Sequence, residues 1–169
     1  MNIFEWNQQQ TTIGHLKVRC AQEDISKTVL RLRVERLLGN TDLHPPRLSM
    51  GAVLIVRKLD SPGPADVSQW SQSIQANWNT FLRSQVTALY VAAARPALSA
   101  VPSDAASVLF ADPGEMLTCL THDLLNGQTE GRWYWRQVLR NVPRTPGTAL
   151  PVLWCEQAPY VPTVLASLR

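Results

Sequence analysis

Residues 43–59, LHPPRLSMGAVLIVRKL, decide how the fold is read. The pair Pro45-Pro46 makes a stiff corner, because each ring fixes its own φ and restricts the residue before it. Five apolar residues follow without a break, Ala52 to Val56, and Arg57-Lys58 close the run. A short apolar run between turn residues reads as a strand buried on both faces, and such strands belong to parallel sheets covered by helices.

Working outward, residues 13–20, IGHLKVRC, alternate strictly. Leu16, Val18 and Cys20 point one way and His15, Lys17 and Arg19 the other, which predicts a half-buried strand. Asp24 then caps a helix carrying Leu30, Val34, Leu37 and Leu38, stopped by Gly39-Asn40. After the loop at 61–64, the spacing of Val67, Trp70, Ile74, Trp78, Phe81, Leu82 and Leu89 predicts a long helix from about Asp66 to about Ala94.

A third apolar run, Val108-Leu109-Phe110, meets Asp112-Pro113-Gly114-Glu115. These four read as N-cap, proline at the first helical position, and a capping-box carboxylate. The helix they open carries Leu117, Leu120, Leu124 and Leu125 to a stop at Asn126-Gly127. Residues 131–142 predict a helix with Trp135, Val138, Leu139 and Val142 on one face, a strand through Trp133 and Trp135 being the rival. Short helices follow around Leu150 to Gln157 and from Pro159. The order of strands and helices predicts an α/β fold: a small three-to-four-stranded, mostly parallel sheet flanked by helices, with a helical C-terminal part.

A chain of 169 residues without low-complexity segments is the size of one domain. The predicted organisation is an N-terminal tail, 1–12, and a single α/β domain, 13–169, in which 147–169 form a helical extension. Helical spacing persists to the last residues, which predicts a longer parent chain or a partner covering this end.

Composition narrows the function. Charged residues make up only 17% of the chain, so its surface favours assembly over independent solubility. The cations are thirteen arginines and three lysines, and arginine is the cation of interfaces because its planar fork bonds carboxylates bidentately. A nucleic-acid binder would gather its cations in one dense patch with a larger excess of charge, so nucleic acid is not an expected partner.

The N-terminus has neither the basic nor the apolar region of a signal peptide, and no run approaches the roughly 18 apolar residues of a membrane span. Cys20, Cys119 and Cys155 are too few and too scattered for a disulfide framework. The expected location is cytoplasmic, with membrane contact only indirect, through a larger complex.

Chemistry-bearing patterns are sparse. Cys119 and His122 stand three apart on one predicted helix, but a structural zinc needs about four donors and the other candidates lack the spacing. There is no Walker loop, GxGxxG or GxSxG, so no cofactor, metal or catalytic residue is assigned. Asp112 follows a strand, where α/β enzymes keep acids, yet its capping context accounts for it. An enzyme with a site near Arg57, Asp60 and Asp112, at the carboxyl ends of the strands, is the alternative reading.

The stronger candidate is a contact surface. Arg132, Arg136 and Arg140, spaced by four, form a cationic stripe on a helix with Trp133 beside it, the composition of a binding hot spot. Phe4 and Trp6, in the N-terminal tail, are candidates to dock on a neighbouring subunit.

Taken together, LHPPRLSMGAVLIVRKL, VLFAD, GRWYW and APYVPTVLASL make the chain resemble uncharacterised proteins of bacterial phage-tail-like contractile injection system gene clusters, of the cyanobacterial type. The resemblance implies a non-enzymatic structural or adaptor subunit, baseplate-associated or linking the particle to a membrane. It implies other subunits of the particle as partners, with several symmetric copies of this chain, and it names no catalytic residue.

Overall fold

The buried run at 52–56 does become a strand, but a different one from the strand its composition predicts. In the computed structural model, which describes residues 11–16, 26–39, 41–60, 72–140, 142 and 145–168, β1 (Val53–Val56) pairs antiparallel with β2 (Ser107–Phe110). The register sets Val53 opposite Phe110 and Val56 opposite Ser107. Of β1 only Ile55 is buried, while β2 is buried at Ser107, Val108 and Phe110. The expected three-to-four-stranded, mostly parallel sheet is therefore corrected. The described residues hold two antiparallel strands and six α-helices, a mostly helical fold.

The physical reason lies in the return path from the long helix. Chain leaving that helix touches β2 in parallel sense at a single position, Ala94 beside Val108. Pro96 then ends any ladder there, since it has no N–H to donate. The chain loops through 95–106 and enters β2 against the direction of β1. No parallel crossover is completed among the described residues, and β2, between Ala94 and β1, is the more buried strand.

The chain divides into two compact units. The helical unit takes in Thr11–Pro46 and Leu59–Ala88. Its first helix, α1 (Lys27–Gly39), buries Leu37, and α2 (Gln72–Val91) buries Leu82 and Val86. Thr41 Oγ1 and Gln75 Nε2 both contact the Leu37 carbonyl and Asn79 Oδ1, which ties the C-terminus of α1 to the face of α2. Of the strand expected at 13–20, residues 13–16 are irregular and the rest lie outside the described residues, as does the expected helix start at Asp66.

The sheet unit comprises Arg47–Lys58 and the chain from Leu89 onward. Its centre is α3 (Pro113–Leu125), in which Met116, Leu117, Leu120, Thr121, Asp123 and Leu124 are all buried. Asp112 caps it, Oδ1 accepting the Glu115 N–H at 2.8 Å, and Glu115 Oε1 accepts the Ala111 N–H at 3.1 Å. Each leucine buried here contributes about 1.5–3 kcal/mol. Around α3 pack the sheet, α4 (Trp133–Val138), α5 (Pro146–Glu156), a 3₁₀ turn (Ala158–Tyr160) and α6 (Val161–Ser167). No helix among the described residues is long and apolar enough to cross a membrane.

Candidate functional site: a buried carboxylate and the surfaces around it

Asp123 is the acid that the helix pattern ought to exclude. It stands on the same face of α3 as Met116 and Leu120, and its side chain is only 3% exposed. A carboxylate taken out of water is costly unless it is paired and hydrogen-bonded. Two donors meet it. Trp135 Nε1 donates to Oδ2 at 2.6 Å, and Arg132 Nη1 reaches the same oxygen at 2.9 Å. Trp135 itself is fully buried and stacks on Phe110 of β2 with ring centroids 5.6 Å apart. One carboxylate therefore links α3 to α4, and through Trp135 to the sheet.

The segment between α3 and α4 folds around the same arginine. Arg132 Nη2 donates to Gln128 Oε1 at 2.7 Å, and Nη1 also donates to the Tyr134 hydroxyl at 3.1 Å. The Gln128 N–H returns to the Asp123 carbonyl at 2.8 Å. Gly127 turns the chain at φ +67, a conformation that favours glycine. Burial pushes the Tyr134 hydroxyl up from its ordinary range, with the Arg132 contact opposing. Cys119, half-buried on α3, is pushed up to about 11 by burial first and by the charges of Glu115 and Asp123 next, with Arg132 opposing.

The sequence-predicted surface residues are distributed differently from a single stripe. Arg132 precedes α4 and turns inward to Asp123. Arg136, exposed, contacts the Glu130 carbonyl at 3.4 Å, and Arg140 is exposed beyond the end of α4. Trp133 is half-buried against the core, with Arg57 over its ring at 5.8 Å from the centroid. Phe4 and Trp6 lie outside the described residues.

Cys119 and His122 acquire no third ligand among the described residues, where no three His, Cys, Asp or Glu side chains gather as a metal site. Asp112 holds a helix cap, and Arg57 donates to the Ser103 carbonyl at 3.2 Å. The enzymatic alternative grouped Arg57, Asp60 and Asp112 at the carboxyl ends of the strands of a mostly parallel sheet, and β1 and β2 are instead antiparallel.

Sequence reasoning missed Asp123. An acid seven residues after Met116 and three after Leu120, on an otherwise apolar stripe, calls for a buried cation or donor, and Arg132 and Trp135 are the nearest downstream candidates.

A second feature lies towards the C-terminal end, where helical spacing predicts a longer parent chain or a covering partner. Leu165 and Leu168 on and just after α6, and Val152 on α5, are 49%, 39% and 39% exposed. They lie on the outer sides of helices whose inner sides bury Val164 and Leu153. No known protein family, curated protein sequence or solved structure matches the chain.

Proposed function

We propose that this chain is a non-enzymatic adaptor subunit of a phage-tail-like contractile injection system, baseplate-associated or linking the particle to a membrane through its neighbours. In this reading it occurs in several symmetric copies, touches other subunits of the particle, and works in the cytoplasm. The resemblance carried by LHPPRLSMGAVLIVRKL and GRWYW supplies the particle.

The observation that supports an adaptor is the apolar outer side of α5 and α6. Val152, Leu165 and Leu168 expose apolar surface beside a well-filled core, and surface of that kind favours a protein contact. The polar groups nearest the core hold the helices together: Asp123 with Arg132 and Trp135, and Trp154 Nε1 with Thr121 Oγ1 at 3.2 Å. Arg136 and Arg140 add exposed cations of the type common at interface rims.

The test is expression of the chain with its chromosomal neighbours, purification through a tag on this subunit, and electron microscopy with mass spectrometry of the eluate. Tail-like particles carrying the chain in fixed ratio are the expected result. The double variant Leu165→Asp, Leu168→Asp should keep the fold, because both side chains already face water, and should lose incorporation. A lone wild-type monomer in the eluate would remove the adaptor reading.

A further inference from the structure

Only one asparagine of the chain precedes a glycine. The pair, Asn126-Gly127, stands at the C-terminal cap of α3, and both residues are exposed to water. An asparagine in this position is open to attack by its own main chain, because glycine has no Cβ to keep its nitrogen away from the asparagine side chain. In that reaction the Gly127 nitrogen gives its proton to water and bonds to Asn126 Cγ. The Cγ–Nδ2 bond breaks, the amide nitrogen takes up a proton and leaves as ammonia, and a cyclic imide remains. Water then opens the ring at one of its two carbonyls, which yields aspartate or isoaspartate with no change of oxidation state.

The folded turn opposes each step. Ring closure needs the Gly127 nitrogen and Asn126 Cβ on the same side of the Cα–C bond, and the ψ of 3 at Asn126 does not put them there. The nucleophile is engaged, since the Gly127 N–H donates to the Leu124 carbonyl at 3.2 Å. The leaving group is engaged too: Asn126 Nδ2 donates to the His122 carbonyl at 2.9 Å and lies 3.2 Å from the His122 ring nitrogens. The next residue pins the turn. Gln128 donates its N–H to the Asp123 carbonyl at 2.8 Å, and its side-chain oxygen accepts from Arg132 Nη2 at 2.7 Å. Arg132 is itself anchored at 2.9 Å on the buried carboxylate of Asp123.

The reactive pair is therefore at the surface, where water reaches it, in a conformation that does not react. Exposed helix ends open locally at a far lower free energy than the whole fold, and the rate follows the open fraction.

We propose that Asn126 is a self-modification site, converted to aspartate and isoaspartate with water as co-reactant, and gated by opening of the turn that Gln128 and Arg132 hold. The product carries a new negative charge at the C-terminal end of α3, where the helix dipole disfavours it, and it has lost the amide donor to the His122 carbonyl. Isoaspartate also lengthens the main chain by one atom, which shifts the Gly127 and Gln128 amides off their carbonyls. Once modified, the turn holds Arg132 less well. The inference is separate from the outer side of α5 and α6 and stands whether or not the chain belongs to a contractile particle.

The test is to age the whole chain in neutral buffer, folded and in guanidinium chloride, and to follow residue 126 by peptide mapping with mass spectrometry, where conversion adds one mass unit. Asn79, which precedes a threonine, is the internal reference. The folded chain is expected to convert at residue 126 at least about tenfold more slowly than the unfolded chain. Gln128→Ala removes an exposed side chain and its bond to Arg132, and leaves Asp123 both of its donors. It should raise the folded rate at least about twofold and leave the unfolded rate unchanged, circular dichroism showing that the variant is folded.

Equal rates in the folded and unfolded chain would overturn the gate. Conversion at residue 126 no faster than at Asn79 in the unfolded chain would overturn the reaction. A folded rate unchanged by Gln128→Ala would overturn the role given to Gln128 and Arg132.

Discussion

Replacing Asp123 by alanine tests whether the centre of the sheet unit is held by one carboxylate. The side chain is nearly inaccessible and accepts from Trp135 Nε1 at 2.6 Å and Arg132 Nη1 at 2.9 Å. Removing it strands the indole N–H inside the core, a loss of about 1–3 kcal/mol for an unsatisfied buried donor. Arg132 loses less. Its side chain is 33% exposed, so water replaces part of what the carboxylate supplied, and about 1 kcal/mol is the appropriate allowance.

The sum is about 3 kcal/mol, or roughly a 6–12 °C fall in Tm for a chain of this size. Denaturant unfolding followed by tryptophan fluorescence measures it, with Glu130→Ala as an exposed control. Trp135→Phe alone should cost about 2 kcal/mol, and the double variant less than the sum of the two, because the second substitution removes a partner already lost. An Asp123→Ala cost within about 0.5 kcal/mol of the Glu130→Ala control would refute the reasoning.

Four further outcomes follow from the same unit. Asp112→Ala removes the side-chain acceptor for the Glu115 N–H and should cost about 1 kcal/mol in a thermal melt. Gly114→Ala places a methyl group 3.0 Å from Asp112 Oδ1 and 3.4 Å from Tyr160 Cδ1, so despite alanine's better helix propensity it should lower stability by about 1–2 kcal/mol, read by the same melt. Cys119 should alkylate in the native chain about a hundredfold more slowly than in the denatured chain near neutral pH, since its thiol sits near 11 against an ordinary 9.0. The sign of the linked stability change follows from that rise. A folded-state value above the unfolded one stabilises fully below about 9 and is lost as pH climbs towards 11, so Cys119→Ala should flatten the alkaline limb of a stability–pH curve.

Local chemistry was readable where a few adjacent residues determine it. Asp112, Pro113 and Glu115 announce the start of α3, and its capping bonds form as the pattern implies. Strand direction was not readable, because it depends on how the chain returns after α2, and that turns on one bridge at Ala94 and the proline two residues later. Nor does an apolar run report its own position in a sheet. Leu54 and Val56 are as apolar as any central residue, yet both are half-buried and their peptide groups face outward. Around Trp133 the pattern misled for another reason. Helical spacing placed Arg132 with Arg136 and Arg140, but the helix begins only at Trp133, and the buried charge of Asp123 draws Arg132 inward.

The distance along the chain between β1 and β2 has a consequence for biosynthesis. Fifty residues, 57 to 106, separate the two strands, so the AVLIV run emerges from a ribosome long before the strand it pairs with. At roughly 5–20 residues per second the wait is about 3–10 s. For that interval a β-prone apolar segment is exposed in a nascent chain, the condition under which such segments associate with one another. Arg57 and Lys58 stand directly after the run, the position at which flanking charge opposes association of such segments.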